Sequence, residues 1–294
     1  MVQNKKNLNE QVADVMSSAM SNRMKQNELL KLGITSDEIY LLLHTKAWQA
    51  SGFDIRRLTF GVEIECYNVL REELIGTASA NGLQVRSEGY NHDDSEHFYR
   101  IVRDGSLTGD NSQEVVSPIL NGERGFDSLR TLCDALASVG ARVNRSCGLH
   151  VHIGAANMSD AHYIRVFKNY QAIEKAIDTF MAPSRRGNNN GYSKTLQGVS
   201  FSACSTKRDV AAVLGFDRYR KVNAEAYGRH QTIEFRQHQG STDYEKISHW
   251  VRFLAKLVEY SFKHDCPSCS MIEEIPFLSD EEKSFFTARR AALN

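Results

Sequence analysis

RRLTFGVEIECY, residues 56–67, is the stretch on which the reading of this chain turns. Side chains alternate across an extended strand, so Leu58, Phe60, Val62, Ile64 and Cys66 fall on one side and Gly61, Glu63 and Glu65 on the other. The apolar side needs helices to cover it. Along such a strand Glu63 and Glu65 stand roughly 6.5 to 7 Å apart, which suits two neighbouring cations better than one. The competing reading of this stretch alone is an amphipathic strand whose polar side is solvated.

The same alternation recurs in CGLHVHIG, residues 147–154, where Leu149, Val151 and Ile153 oppose His150 and His152. Two imidazoles on one side of a strand bind metal, hydrogen-bond phosphate or satisfy each other. Cys147 and Gly148 mark a tight entry where backbone approaches a ligand. In QTIEFRQHQGSTD, residues 231–243, Ile233 and Phe235 point one way, and Thr232, Glu234, Arg236 and His238 the other. Arg236 is then either the ion-pair partner of Glu234 or a planar donor for phosphate oxygens. VRDGSLTGDNSQEVVSP, residues 102–118, adds Asp104 in a turn and Glu114 at the start of a short strand ended by Pro118. If these strands are neighbours, their polar groups converge.

Between the strands lie amphipathic runs that predict helices over 69–80, 126–139, 160–181 and 243–262. Asn81-Gly82, Gly140 and Pro183 supply stops, and Ser159 a cap. Ser279-x-x-Glu282 opens a short final helix. Before residue 55 the chain reads as helical, with Thr35-Ser36-Asp37-Glu38 as a capping box and Gly52 as the stop. The expected organisation is an N-terminal helical appendage (1–54), a main α+β domain (55–265) and a C-terminal extension (266–294). The appendage either packs on the main domain or mediates self-association into a homo-oligomer.

Composition bounds the partners. The 294 residues carry 36 Lys+Arg against 36 Asp+Glu, so no net electrostatic pull on nucleic acid or an anionic membrane is expected. Neither a signal-peptide core nor an apolar stretch of membrane-spanning length is present, which makes a cytoplasmic location the default expectation. Six cysteines without framework spacing read as reduced thiols; Cys266-Pro-Ser-Cys269 is half a zinc site, a redox pair or a turn. A carboxylate-rich cluster with one or two imidazoles favours Mg²⁺ or Mn²⁺ over structural zinc, and metals of that kind recruit phosphate. Arg236, with Arg185 and Arg186 in PSRRGNNNGYSK, offers charge for a transferring phosphoryl group. No GxxxxGK[ST] loop is present, which excludes that route to nucleotide.

Taken in order, FGVEIE, DGS followed by EVVSP, CGLHVHIG, PSRR, RYRKVN and TIEFRQHQGSTD resemble the amidoligases of the glutamine synthetase and glutamate-cysteine ligase superfamily, over about residues 60–250. The resemblance implies a curved, mainly antiparallel sheet with helices packed on one face and the active site on the other. It implies ATP phosphates bridged to protein by divalent ions, Mg²⁺ or Mn²⁺. By position, Glu63, His150 and Glu234 would hold the ion touching the terminal phosphates, and Glu65, Glu114 and Asp104 the ion nearer the carboxylate substrate. Arg236 would steady the γ-phosphate, His152 would lie close to nucleotide phosphate, and Arg185 and Arg220 would contact phosphate or substrate.

The expected activity is an ATP-dependent carboxylate-amine ligation through an acyl phosphate, on a small-molecule, peptide or protein carboxylate plus an amine. Glu114, Asp104 and His238 are the candidate general bases. Replacing Glu63 or Glu234 by Gln is expected to abolish Mg·ATP binding and to relieve repulsion among crowded carboxylates. The alternatives are a phosphotransferase on the same scaffold, a metal-dependent hydrolase using the paired histidines, and a non-catalytic nucleotide-binding protein.

Overall fold

The computed structural model describes residues 11, 12, 14, 15, 18, 22–34, 58–88 and 97–293. The proposed capping box at Thr35 and the apolar run after it lie outside the described residues. In chain order the elements are α1 (Asn22–Lys31), β1 (Thr59–Cys66), α2 (Arg71–Ala80), β2 (Val85–Ser87), β3 (Tyr99–Val102), β4 (Gln113–Val116), β5 (Leu120–Asn121) and α3 (Gly122–Ser138). They continue as β6 (Gly148–Gly154), α4 (Asp160–Thr179), α5 (Lys207–Val213), β7 (Val222–Asn223), α6 (Ala226–His230), β8 (Thr232–Gln239), α7 (Tyr244–Tyr260) and α8 (Asp280–Leu293).

The strands form one open sheet in the order β2-β3-β4-β1-β6-β8-β7, with β5 also pairing β1. All pairings are antiparallel except β2 with β3. The fold is therefore α+β with a mostly antiparallel sheet. The strand at residues 59–66 sits inside it, paired to β4 on one side and β6 on the other. Phe60, Val62, Ile64, Leu149, Val151, Ile153, Ile233 and Phe235 are buried on one face. There Phe60 meets Phe126 of α3, with ring centroids 4.8 Å apart, and Phe235 meets Tyr170 of α4 at 5.7 Å. Burying side chains of this size contributes about 1.5–3 kcal/mol each.

Helix ends follow local chemistry. The Ser159 hydroxyl accepts from the His162 N–H at the start of α4, and the Asp243 carboxylate accepts from the Lys246 N–H at the start of α7. Ser279 and Glu282 bond reciprocally ahead of α8. That last helix belongs to the main core: Phe286 lies 4.6 Å from Phe180, and Lys256 of α7 pairs with Glu282 at 2.6 Å. The Cys266–Cys269 segment is a turn tied to α4, through the Cys266 N–H to Asn169 Oδ1 (2.7 Å) and the Cys269 N–H to the Ala172 carbonyl (3.0 Å). Burial pushes the Cys266 thiol up to about 12, so no thiolate is available there at neutral pH. No described helix is long and apolar enough to cross a membrane.

One irregularity redirects a predicted site residue. Between Leu149 and Val151 the β6–β8 register shifts, so Val151 opposes Phe235 but Leu149 opposes His238. The extra residue in β8 is a β-bulge, and it breaks the alternation that would have put His238 beside Arg236. Instead His238 is buried on the helix side, its ring 5.7 Å from Trp250 and its Nε2 3.3 Å from the Arg289 guanidinium. Burial, and then the Arg289 charge, pull its imidazole down to about 3. The structure therefore removes His238 from the candidate bases.

Past the bulge, the Gly240 N–H donates to the Cys147 carbonyl at 2.8 Å. A Cβ on Gly240 would stand 2.5 Å from Cys147 Cβ and 3.1 Å from its carbonyl carbon. Because that obstacle is mostly backbone, Gly240→Ala should destabilise by about 1–3 kcal/mol. A chemical-denaturation midpoint equal to that of wild type would show that this approach tolerates a methyl group.

Candidate active site

On the sheet's other face the polar side chains of β1, β4, β6 and β8 come together. Cross-strand register sets Glu63 opposite His150, Glu65 opposite Glu114, and His152 opposite Glu234. Adjacent strands are roughly 4.8 Å apart, so pairs in register put their side chains within reach of one ion. Three sets of ligand atoms lie within 4.8 Å of one another: Glu65, Asp104 and Glu114; Glu63, Glu114 and His150; and Glu63, His152 and Glu234. They share members, so they form one row across four strands.

The histidines are oriented by their neighbours. His150 Nδ1 lies 2.8 Å from Glu63 Oε2, and its Nε2 3.6 Å from Glu65 Oε1. His152 Nε2 lies 3.3 Å from Glu63 Oε1, while its Nδ1 bonds Thr232 Oγ1 at 2.8 Å. This brings His152 into the ligand set with Glu63 and Glu234, whereas the family resemblance implied a place close to nucleotide phosphate. Glu234 is gripped by Arg236 and by the Asn223 side-chain amide, and the Arg236 Nη1 stands 3.5 Å from His150 Nδ1. At the entry to β6 the Gly148 N–H donates to Glu65. A side chain on Gly148 would meet His150 Nε2 at 3.0 Å and Arg185 Nη2 at 3.2 Å, so glycine is what allows that approach.

The electrostatics separate the carboxylates. Burial alone would push Glu63 up, but hydrogen bonds and charge from His150 and His152 outweigh it and hold the group well below the usual carboxylate range. Burial likewise opposes ionisation of Glu234, and the Arg236 charge, helped by His152 and His150, prevails over it. For His152 burial is again overridden, this time by Glu63, and its pKa is raised. Glu114 has no such compensation: burial first, then the charges of Glu63, Glu65 and Asp104, lift it well above its ordinary value. The repulsion expected at Glu63 and Glu234 thus falls on Glu114, because basic neighbours balance the other two. A hard divalent cation fits this oxygen-rich, electron-crowded row.

That imbalance has a measurable consequence in metal-free protein. A carboxyl raised above the unperturbed 4.5 favours folding while it is protonated and loses that contribution as pH climbs through its folded value. Glu114→Gln cannot ionise. With chelator present it should melt higher than wild type at neutral pH, the gap closing below about pH 4. A variant that melts lower at neutral pH would contradict this account.

Around the row lies an open cleft of about 760 Å³ whose walls include Glu63, Asp104, Glu114, His150, His152, Glu234 and Arg236. Glu65 is buried and does not line it, its carboxylate taking the Gly148 N–H. Two predicted arginines do not line the cleft. Arg185 is buried beside Gly148, near the His150 Nε2 and within reach of the Glu65 charge, and it donates to the Cys147 carbonyl at 2.8 Å. Arg220 is turned away, donating to the Thr195 carbonyl at 3.0 Å and lying 3.7 Å from Asp217. The cleft's cations other than Arg236 are Arg100, Arg103, Arg218 and Arg229. The first was legible: in Tyr99–Val102 the apolar Tyr99 and Ile101 alternate with Arg100. The other three sit in loops or at a helix end, where no periodicity points.

The family described as "putative amidoligase enzyme" matches this chain over residues 56–258, a span that takes in the whole ligand row. Among curated proteins no significant match is found. Since the matched span covers well over half of the 294 residues and includes each strand that contributes to the cleft, the chain belongs to this amidoligase family.

Proposed function

We propose that the protein is an ATP-dependent carboxylate-amine ligase working through an acyl phosphate on a glutamine synthetase-like catalytic fold. The observation that carries this reading is the continuous row of three overlapping ligand sets, with the Arg236 guanidinium against it, in one cleft. The catalytic unit is residues 55–265, with 266–294 packed onto its core. Glu63, His150, His152 and Glu234 would hold one divalent ion, and Glu65, Glu114 and Asp104 another, Mg²⁺ or Mn²⁺ by donor chemistry. When bound, such ions neutralise phosphate charge and align it with an acceptor oxygen.

The residues then divide the work. A carboxylate oxygen of the acid attacks the γ-phosphorus of ATP as the bond to ADP breaks, and Arg236 stabilises charge on the transferring oxygens. The amine attacks the resulting acyl carbon, and the carbon–oxygen bond to phosphate breaks. Its proton passes to Asp104 or Glu114, the carboxylates at the row's other end. Asn223 and Thr232 keep Glu234 and His152 oriented through their side-chain hydrogen bonds.

The test is to incubate purified protein with ATP, Mg²⁺ and pooled carboxylic acids and amines. Release of ADP that requires both acceptors, with an amide and free phosphate as products by mass spectrometry, supports the reading. A stable phosphorylated acceptor would make the protein a kinase. Failure of folded protein to bind Mg·ATP at all would overturn the proposal.

A further inference from the structure

The α5–β7 connection contains a feature that the ligand row does not explain. Helix α5 ends in a Schellman motif: the Gly215 N–H donates to the Ala212 carbonyl (2.9 Å) and the Phe216 N–H to the Ala211 carbonyl (2.8 Å). Gly215, at φ 73°, is the expected left-handed residue. In this motif the following apolar residue ordinarily folds back over the last helical turn. Phe216 does not: it too is left-handed, at φ 50°, and its side chain is 56% exposed on the cleft wall. A bulky aromatic in that backbone region is rare and strained.

The surrounding turn is pinned. Asp217 accepts the Tyr219 N–H at 2.9 Å and pairs with Lys194 at 2.8 Å. The chain therefore holds an aromatic ring at the cleft at a cost in backbone strain and exposed apolar area. Its neighbours are cationic. Arg218 and Arg229 line the same cleft, both exposed, and neither has a carboxylate partner among the described residues. The segments that carry them reach the ligand set of Glu63, His152 and Glu234: Asn223 holds Glu234, and the His230 ring, next to Arg229, stands edge-on to His152 at 5.8 Å.

A flat apolar ring, guanidiniums without a carboxylate partner and a cation site in one cleft match base, ribose-phosphate and terminal phosphates of a nucleoside triphosphate. Resting on the ATP reading above, we propose that Phe216 is the stacking platform for the nucleotide base, with Arg218 and Arg229 beside it on the phosphate chain. A ring stacks on any base with little sequence of contacts to satisfy, so Phe216 fixes the nucleotide's position more than its choice of purine.

The test compares two ligands in the full-length protein by titration calorimetry: a non-hydrolysable ATP analogue with Mg²⁺, and Mg²⁺ with tripolyphosphate, which lacks a base. Wild type should bind the analogue more tightly. Phe216→Ala should weaken the analogue by about tenfold or more while leaving tripolyphosphate unchanged, in line with base–aromatic stacking. Phe216→Gly, suited to the left-handed backbone, should melt no lower than wild type yet show the same loss, and Phe216→Trp should retain binding. Equal affinity of Phe216→Ala and wild type for the analogue, or an equal loss for both ligands, overturns the inference and leaves the ligase reading standing. Wild-type protein that binds neither ligand overturns both.

Discussion

Glu63→Gln should abolish Mg²⁺-dependent nucleotide binding and lower turnover by about a thousandfold, the loss of several kcal/mol of charge stabilisation. Glu63 belongs to two of the three ligand sets, and each of its oxygens faces an imidazole, at 2.8 Å and 3.3 Å. The amide keeps shape and volume but replaces one oxygen with an NH₂ group that repels a cation and has no acceptor to meet if the facing histidine is protonated. Because His150 and His152 outweigh burial and favour the Glu63 charge, no stabilisation is expected from neutralising it. Calorimetry with Mg²⁺ and a non-hydrolysable ATP analogue, run beside circular dichroism, separates a lost site from a lost fold. A folded variant that binds as wild type does would show that the row is not a cation site.

Lys221→Met should be the most damaging single change to the fold, costing about 3–5 kcal/mol. Lys221 is fully buried, its ammonium 2.8 Å from Glu174 and 2.7 Å from Asp178. The same carboxylates receive the Leu196 N–H (2.9 Å), the Gly187 N–H (2.8 Å) and the Gln237 side chain (2.5 Å). One ammonium thus ties α4, the loop after Pro183, β7 and β8 together. Met fills the space of the stem but leaves two carboxylates facing each other without a cation. The melting temperature should fall by roughly 10 °C for a chain of this size, and Glu174→Gln with Asp178→Asn should restore part of it. A fall of under about 2 °C in the single variant would mean that the three groups are not coupled.

Lys221 lies in RYRKVN, a stretch whose motif was visible in sequence but whose structural purpose was not. Charge pairs between residues 40 or more apart leave no periodic trace, and Lys221 to Glu174 is such a pair. The central strand was legible for the opposite reason. Alternation in residues 56–67 is a local property, and Glu63 and Glu65 leave it on the side away from Phe60 and Val62. His238 failed because a bulge spends one residue without changing composition, and everything beyond it changes face. Arg220 failed because its position depends on a bridge between Lys194 and Arg220 formed across a loop. Phe216 had no sequence signal except Gly215 before it, and that glycine explains the turn rather than where the ring goes.

Of the seven acidic and imidazole residues that make up the ligand sets, six sit on strands, at β1, β4, β6 and β8, while Asp104 sits in a turn, where the Ser106 N–H caps it at 2.7 Å. Pleat and strand spacing act as a ruler for the six. The turn obeys no such ruler. Insertions or exchanges around Asp104 can reshape that end of the row while the remainder keeps its dimensions.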